Sequence, residues 1–206
     1  MARPVSIQNE SILEAAQKVF LKHGYKVSTK LIAREAGVSE GSLFKHFKTK
    51  TELFVAAMEM EAGGASWGDG LLKSAGTGDL RKILEKVGVQ LLERLEIILP
   101  RLIMVRSSGI VLARPGSCRG SDVPGPIRKL RILADYFRAE IKAGRLAMNN
   151  PEVYAQIFIG TLTHYVIQKI IFNFRAVSPK VYVDTVVDMI LRAATPAGKS
   201  RKGSIK

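Results

Sequence analysis

Apolar residues recur through this chain at helical spacing, and no stretch alternates with the two-residue period of a strand. Ile12, Ala16, Val19 and Phe20 form an i, i+4, i+7, i+8 stripe that Gly24 stops. Ile32, Ala33 and Ala36 give a short second helix its apolar face. Ser28 or Thr29 can cap its start, and Gly37 supplies the left-handed backbone that ends it. Val38 plugs the corner. Ser39 is the natural cap of a third helix, in which Leu43 and Phe47, four residues apart, must form the buried side. Thr49 and Glu52 make a capping box that starts a fourth. Residues 7 to about 60 thus predict a helical head built around two short helices joined by a glycine turn.

Past the head, helical patterns alternate with punctuation. Six glycines between Gly63 and Gly78 surround Trp67 and predict that the fourth helix ends or frays there. Asp79 opens a fifth helix with Leu80, Ile83, Leu84, Val87, Leu91, Leu95 and Ile98 as its stripe, and Pro100 is expected to end it and to start a sixth reaching about Ala113. Three prolines and three glycines from Arg114 to Pro126 read as a loop. A seventh helix follows over Pro126–Ala143, closed by Gly144, and an eighth from Pro151 to about Phe174. Ser178 caps a ninth, Pro179 takes its first position, and it ends at Ala194. The expected fold is all-α with about nine helices.

The third helix carries the chemistry. At about 100° per residue, Gly41, Ser42 and Lys45 lie opposite Leu43 and Phe47, with Phe44 and His46 on the flanks. That outward face is small, polar and basic. A helix entering the major groove needs such a face, because short side chains let the backbone approach while hydrogen-bonding groups reach base edges or phosphates. The order of residues resembles the N-terminal domain of the TetR family of bacterial transcriptional regulators. The shared features are a helix ending in Phe and Gly-aromatic, Ile32-Ala33, Ala36-Gly37-Val38-Ser39, Gly41-x-Leu43-aromatic-x-His46-Phe47, and a Lys before an acidic residue. The family usually has Tyr where this chain has Phe44, so a hydroxyl that would touch phosphate is missing. The resemblance and the face together assign Lys45, His46 and Lys50 to phosphate, Gly41 and Ser42 to the vicinity of base edges, Thr29 to phosphate and Glu40 to a lesser contact. Phe44 completes the expected DNA-binding set.

Composition adds to this picture and limits it. The 206 residues hold 32 Lys and Arg against 18 Asp and Glu, a formal charge of +14, which favours a polyanionic partner. Residues 1–54 hold nine cations and five acids, so the head carries only 9 − 5 = +4, and net charge does not by itself locate a DNA face. One cysteine, Cys118, excludes an intramolecular disulfide and a cysteine-rich zinc site. The N-terminus lacks the apolar run of a signal peptide, and the longest uncharged run, Val153–Gln168, is too short and polar to span a membrane, so a cytoplasmic protein is expected. Expected domains are a head over 1–54, a larger helical domain over 55–195 and a disordered basic tail over 196–206.

The helix from Pro151 is apolar almost all round and must be covered on every side. The resemblance implies that it and the ninth helix pack against their symmetry mates as a homodimer, so that the operator is an inverted repeat. It also implies a small-molecule effector bound between helices five to eight. Polar groups set in apolar helices are the candidate contacts: Gln156, Thr161, His164 and Gln168, with Arg101 and Arg106. No cofactor or metal is expected. Three readings follow. The first is a ligand-responsive dimeric repressor of double-stranded DNA, the second a constitutive DNA-binding protein without an inducer. The third, an enzyme, has little behind it: there is no GxSxG, no phosphate loop, and only His23, His46 and His164.

Overall fold

The computed structural model describes residues 5–59, 70–110, 125–174 and 177–194. Among these residues all regular structure is helical: α1 (Val5–His23), α2 (Thr29–Glu35), α3 (Glu40–His46), α4 (Lys50–Glu59), a 3-10 turn at Leu72–Ser74, α5 (Leu80–Ser107), α6 (Gly125–Lys142), α7 (Pro151–Phe172) and α8 (Pro179–Ala193). Trp67, the loop residues 114–124 and the basic tail 196–206 lie outside the described residues. The chain divides into two compact units, residues 1–63 with 97–114, and residues 64–96 with 115–206. The expected boundary after residue 54 therefore falls inside α4.

One expected break does not occur. α5 runs through Pro100, so the helices expected on either side of it are a single element, and the described residues hold eight α-helices. A proline inside a helix costs about 3 kcal/mol, because it has no N–H to offer the carbonyl four residues earlier, here Glu96. Leu99 just before it and Val105 beyond it are buried, each contributing about 1.5–3 kcal/mol at full burial, enough to carry the helix on. Tertiary burial thus outweighs a local stop signal.

The first unit is built on the stripes expected of it. Ile12, Ala16, Val19 and Phe20 of α1 meet Ile32 and Ala33 of α2, Leu43 of α3, Leu53, Phe54 and Ala57 of α4, and Val105 of α5. Phe20 meets Phe54 edge-on at 5.0 Å, and Tyr25 meets the same ring at 4.9 Å. Gln17 fastens three helices, donating from Nε2 to the Ala57 carbonyl at 2.7 Å and accepting from Arg101 Nη2 at 3.0 Å.

In the second unit, α6 and α7 pack closely; Leu133, Tyr136 and Phe137 of the one and Phe158, Leu162 and Val166 of the other are buried, as are Val183, Val187 and Ile190 of α8. Gly88 of α5 lies where a Cβ would come within 2.6 Å of Val183 Cγ1, so only glycine fits there unchanged. A Schellman turn at Gly144 ends α6 and turns Arg145 back over it; the Arg145 side chain then pairs with the fully buried Glu140 at 2.9 Å. Glu140 also accepts the Gly76 N–H at 3.0 Å, which pins the segment ahead of α5.

Among the described residues α7 is covered on one side only. Ala155, Phe158, Leu162, Tyr165 and Val166 are buried, and at 100° per residue Val153, Ile157, Gly160, His164 and Ile171 fall on the opposite face, which is exposed, Ile157 at 52%. α8 has a matching outer face in Val181, Thr185 and Met189, the last 66% exposed.

Candidate nucleic-acid interface

Local capping builds the two-helix motif. Ser28 is the N-cap of α2, its hydroxyl accepting the Leu31 N–H at 3.4 Å, and Thr29 is the first helical residue. At the other end Gly37 has φ +67°, Val38 N–H reaches the Ala33 carbonyl at 3.0 Å and Gly37 N–H reaches Arg34 at 3.2 Å, a complete Schellman motif. The extended Ser39 then caps α3 by accepting the Ser42 N–H at 3.0 Å. Thr49 Oγ1 accepts the Glu52 N–H at 3.0 Å, and Glu52 reaches back to the Lys48 N–H at 2.9 Å, one residue earlier than the usual partner in a capping box.

With Leu43 and Phe47 buried, α3 turns its other side outward. Gly41, Phe44 and Lys45 are exposed, and Glu40, Ser42 and His46 are half-buried. The backbone at Gly41 would accept a methyl group freely, its nearest neighbour being Ser39 Oγ at 3.9 Å. Among the described residues no contact therefore asks for glycine at this position. Lys45 and His46 sit in the last turn of α3, where the helix dipole favours cations.

Two contacts made by members of the expected set join residues distant in sequence. The Thr29 hydroxyl donates to Glu40 Oε1 at 2.5 Å, linking the first residue of α2 to the first residue of α3. Lys50 Nζ stands 4.8 Å over the centre of the Tyr25 ring, and the Tyr25 hydroxyl shares a hydrogen bond of 2.9 Å with Thr51 Oγ1. Tyr25 thus steers a cation at the start of α4, a role that sequence reasoning missed because the partners lie 25 residues apart and leave no periodic trace. Glu35 is neutralised by Lys18 at 2.5 Å, and that ammonium holds its carboxyl below the usual range.

The six residues expected at a small-molecule site are divided between the two units. Arg101 is buried in the first unit, where it serves Gln17, and Arg106 is exposed there. On α7, Gln156 and His164 are exposed, while Thr161 and Gln168 are half-buried and the Thr161 hydroxyl donates to the Ile157 carbonyl. An open groove of about 550 Å³ lies between α5 and α8, lined by Val89, Gln90, Lys180 and Asp184 among others, and it contains none of the six.

Comparison with known proteins agrees with this geometry. A family model described as "Bacterial regulatory proteins, tetR family" matches residues 12–57, and one described as "AefR-like transcriptional repressor, C-terminal domain" matches residues 114–194. The chain is 29% identical over 171 residues to the uncharacterized HTH-type transcriptional regulator YvkB of Bacillus subtilis strain 168, covering 82% of this chain and 87% of that one. Among solved structures it superposes on a candidate TetR-family transcriptional regulator from Mesorhizobium loti MAFF303099 with TM-score 0.67 at 18% identity, covering 94% of this chain and 100% of the other. A complex of SmeT with triclosan superposes with TM-score 0.60 at 17% identity, covering 97% of each chain. At such identities the structural likeness concerns the fold.

Proposed function

Because the chain belongs to the TetR family of bacterial regulatory proteins, which are DNA-binding transcriptional regulators, we propose that it is a repressor that grips an inverted-repeat operator as a homodimer and is released by a small molecule. The observation that carries the DNA half of this reading is α3 itself: a helix capped at Ser39, anchored by Leu43, and turning Gly41, Ser42, Lys45 and His46 away from the core. Lys45, His46 and Lys50 hold phosphates, Gly41 and Ser42 approach base edges, and Thr29, Glu40 and Phe44 complete the contact set.

The homodimer is supported by the uncovered apolar faces of α7 and α8. Val153, Ile157 and Ile171 on one helix and Val181 and Met189 on the other are all about half exposed or more, an arrangement that a second copy would bury. Gly160 lies in the middle of that face with nothing within 4 Å of a built Cβ, so a partner helix could approach closely. Gln156 and His164 share the face and would meet the second copy. Thr161 and Gln168 are the α7 residues left to an effector. SmeT, with the same fold, has been captured with triclosan, and an apolar molecule of that size suits a helical domain of this kind. A cytoplasmic location follows from the role.

Selection of bound sequences from a random duplex pool tests the reading. Recovery of an inverted repeat, bound with a steep salt dependence that weakens in Lys45→Ala and His46→Ala, is expected. Recovery of no repeat, or unchanged affinity in both variants, overturns it.

A further inference from the structure

The DNA-binding reading leaves one member of α3 without a task that fits its charge. Glu40 is the only acid on the helix, and a carboxylate set against a phosphate backbone would be repelled. It is also the first residue of α3, and in a motif of this kind the N-terminal residues of the second helix are those that reach base edges. The structure does not leave it loose. Thr29 Oγ1 donates to Oε1, so the side chain is held from a different helix, and it is half-buried where a solvated glutamate would be fully exposed. The next residue, Gly41, carries no side chain and needs none for packing, since the nearest atom to a built Cβ is 3.9 Å away. A fixed acceptor therefore stands beside a cleared stretch of backbone.

We infer that Glu40 reads a cytosine in each half of the operator, with Thr29 as its positioning residue. The chemistry selects the base. In the major groove guanine presents only acceptors, and thymine an acceptor and a methyl group, all unfavourable to a carboxylate. Adenine offers its N6 amino group beside the N7 acceptor, whereas cytosine offers its N4 amino group with no acceptor on the same base. One carboxylate oxygen accepts from Thr29 and the other is left to accept from cytosine N4. Because the Thr29 proton is engaged by Glu40, the threonine serves the base contact and not phosphate. The inference rests on the DNA-binding reading and adds the base it prefers.

The test uses the full-length chain and the duplex recovered by selection. All four base pairs are placed in turn at each half-site position, and binding is measured by fluorescence anisotropy at constant salt. The wild-type chain is expected to prefer cytosine at one position per half-site by roughly tenfold, the size of a single well-made base contact. In Glu40→Gln the preference at that position alone should move toward adenine, because a glutamine amide can pair with adenine N6 and N7 together. Thr29→Val should flatten the preference at that position while the thermal midpoint stays near wild type. A purely structural role for the pair would lower affinity evenly across all duplexes and leave the base profile intact, and that result overturns the inference. So does a Glu40→Gln profile identical to wild type, or a wild-type half-site with no cytosine preference. If the wild-type chain recovers no sequences, the DNA-binding reading falls, and the inference with it.

Discussion

Replacing Gly41 with alanine separates what α3 does for the fold from what it does for a partner. Glycine inside a helix costs about 0.5–1 kcal/mol relative to alanine, through the backbone freedom lost on folding. Gly41 is not among the glycines with positive φ, and a Cβ there would meet only Ser39 Oγ, at 3.9 Å, so the methyl adds no strain. As the second residue of the helix it should recover the lower figure, about 0.5 kcal/mol, which for a chain of this size raises the thermal midpoint by roughly 1–2 °C. Against duplex DNA the sign reverses. If the groove closes onto this backbone, the inserted methyl overpacks the interface at a cost of about 1–3 kcal/mol, at least fivefold in affinity. No charge changes, so the slope of affinity against salt should stay as in wild type. Differential scanning fluorimetry and anisotropy titrations at two salt concentrations measure both halves. A Gly41→Ala protein that is more stable and binds undiminished would show that the bare backbone at α3 serves no partner. One that is less stable would show that the backbone at Gly41 does not admit a methyl group freely.

Gly88→Ala should act in the opposite sense: the new methyl would sit 2.6 Å from Val183 Cγ1, and the overpacking, about 1–3 kcal/mol, exceeds the helix-propensity gain of up to about 1 kcal/mol, so urea midpoints should fall. Tyr136 is fully buried beside Glu140; burial first, and that carboxylate second, push its phenol far above the ordinary tyrosine range. A group with a raised folded pKa contributes stability below its unfolded value, about 10, and loses it above. Stability should therefore fall steeply from pH 10 upward, with a shallower fall in Tyr136→Phe; equal slopes in alkaline denaturation would refute the assignment. Ile157→Asp, on the uncovered face of α7, should leave helical content unchanged while raising the dimer dissociation constant about thirtyfold or more, read by sedimentation velocity. A wild-type chain that sediments as a monomer at all concentrations would remove the basis of that prediction.

What could be read from the sequence was whatever is set by neighbours within a turn or two. Ser39 with Ser42, Gly37 with Val38, and Ser178 followed by Pro179 each settle a helix end through local hydrogen bonds, and each stands as expected. The stripe of Ile12, Ala16, Val19 and Phe20 is buried for the same reason. Pro100 misled because its local cost is opposed by burial of Leu99 and Val105, which no residue beside it announces. The ties from Thr29 to Glu40, from Lys50 to Tyr25 and from Arg101 to Gln17 span 11 to 84 residues and carry no periodicity. For α7, a helix apolar on every side, the pattern was silent on which half its own chain covers.

Pro100 has a consequence for how α5 breathes. Pro100 leaves a gap in the N–H series of the helix, and the division of the chain into its two units falls between Glu96 and Ile97. Leu84, Leu91 and Leu92 are buried on one side of that gap, and Val105 on the other is held in the core of the first unit. Cooperative opening follows shared burial more than shared backbone. Amide protons before and after the gap should therefore exchange with solvent as two populations, each with the protection of its own unit, so that one continuous helix reports two separate stabilities.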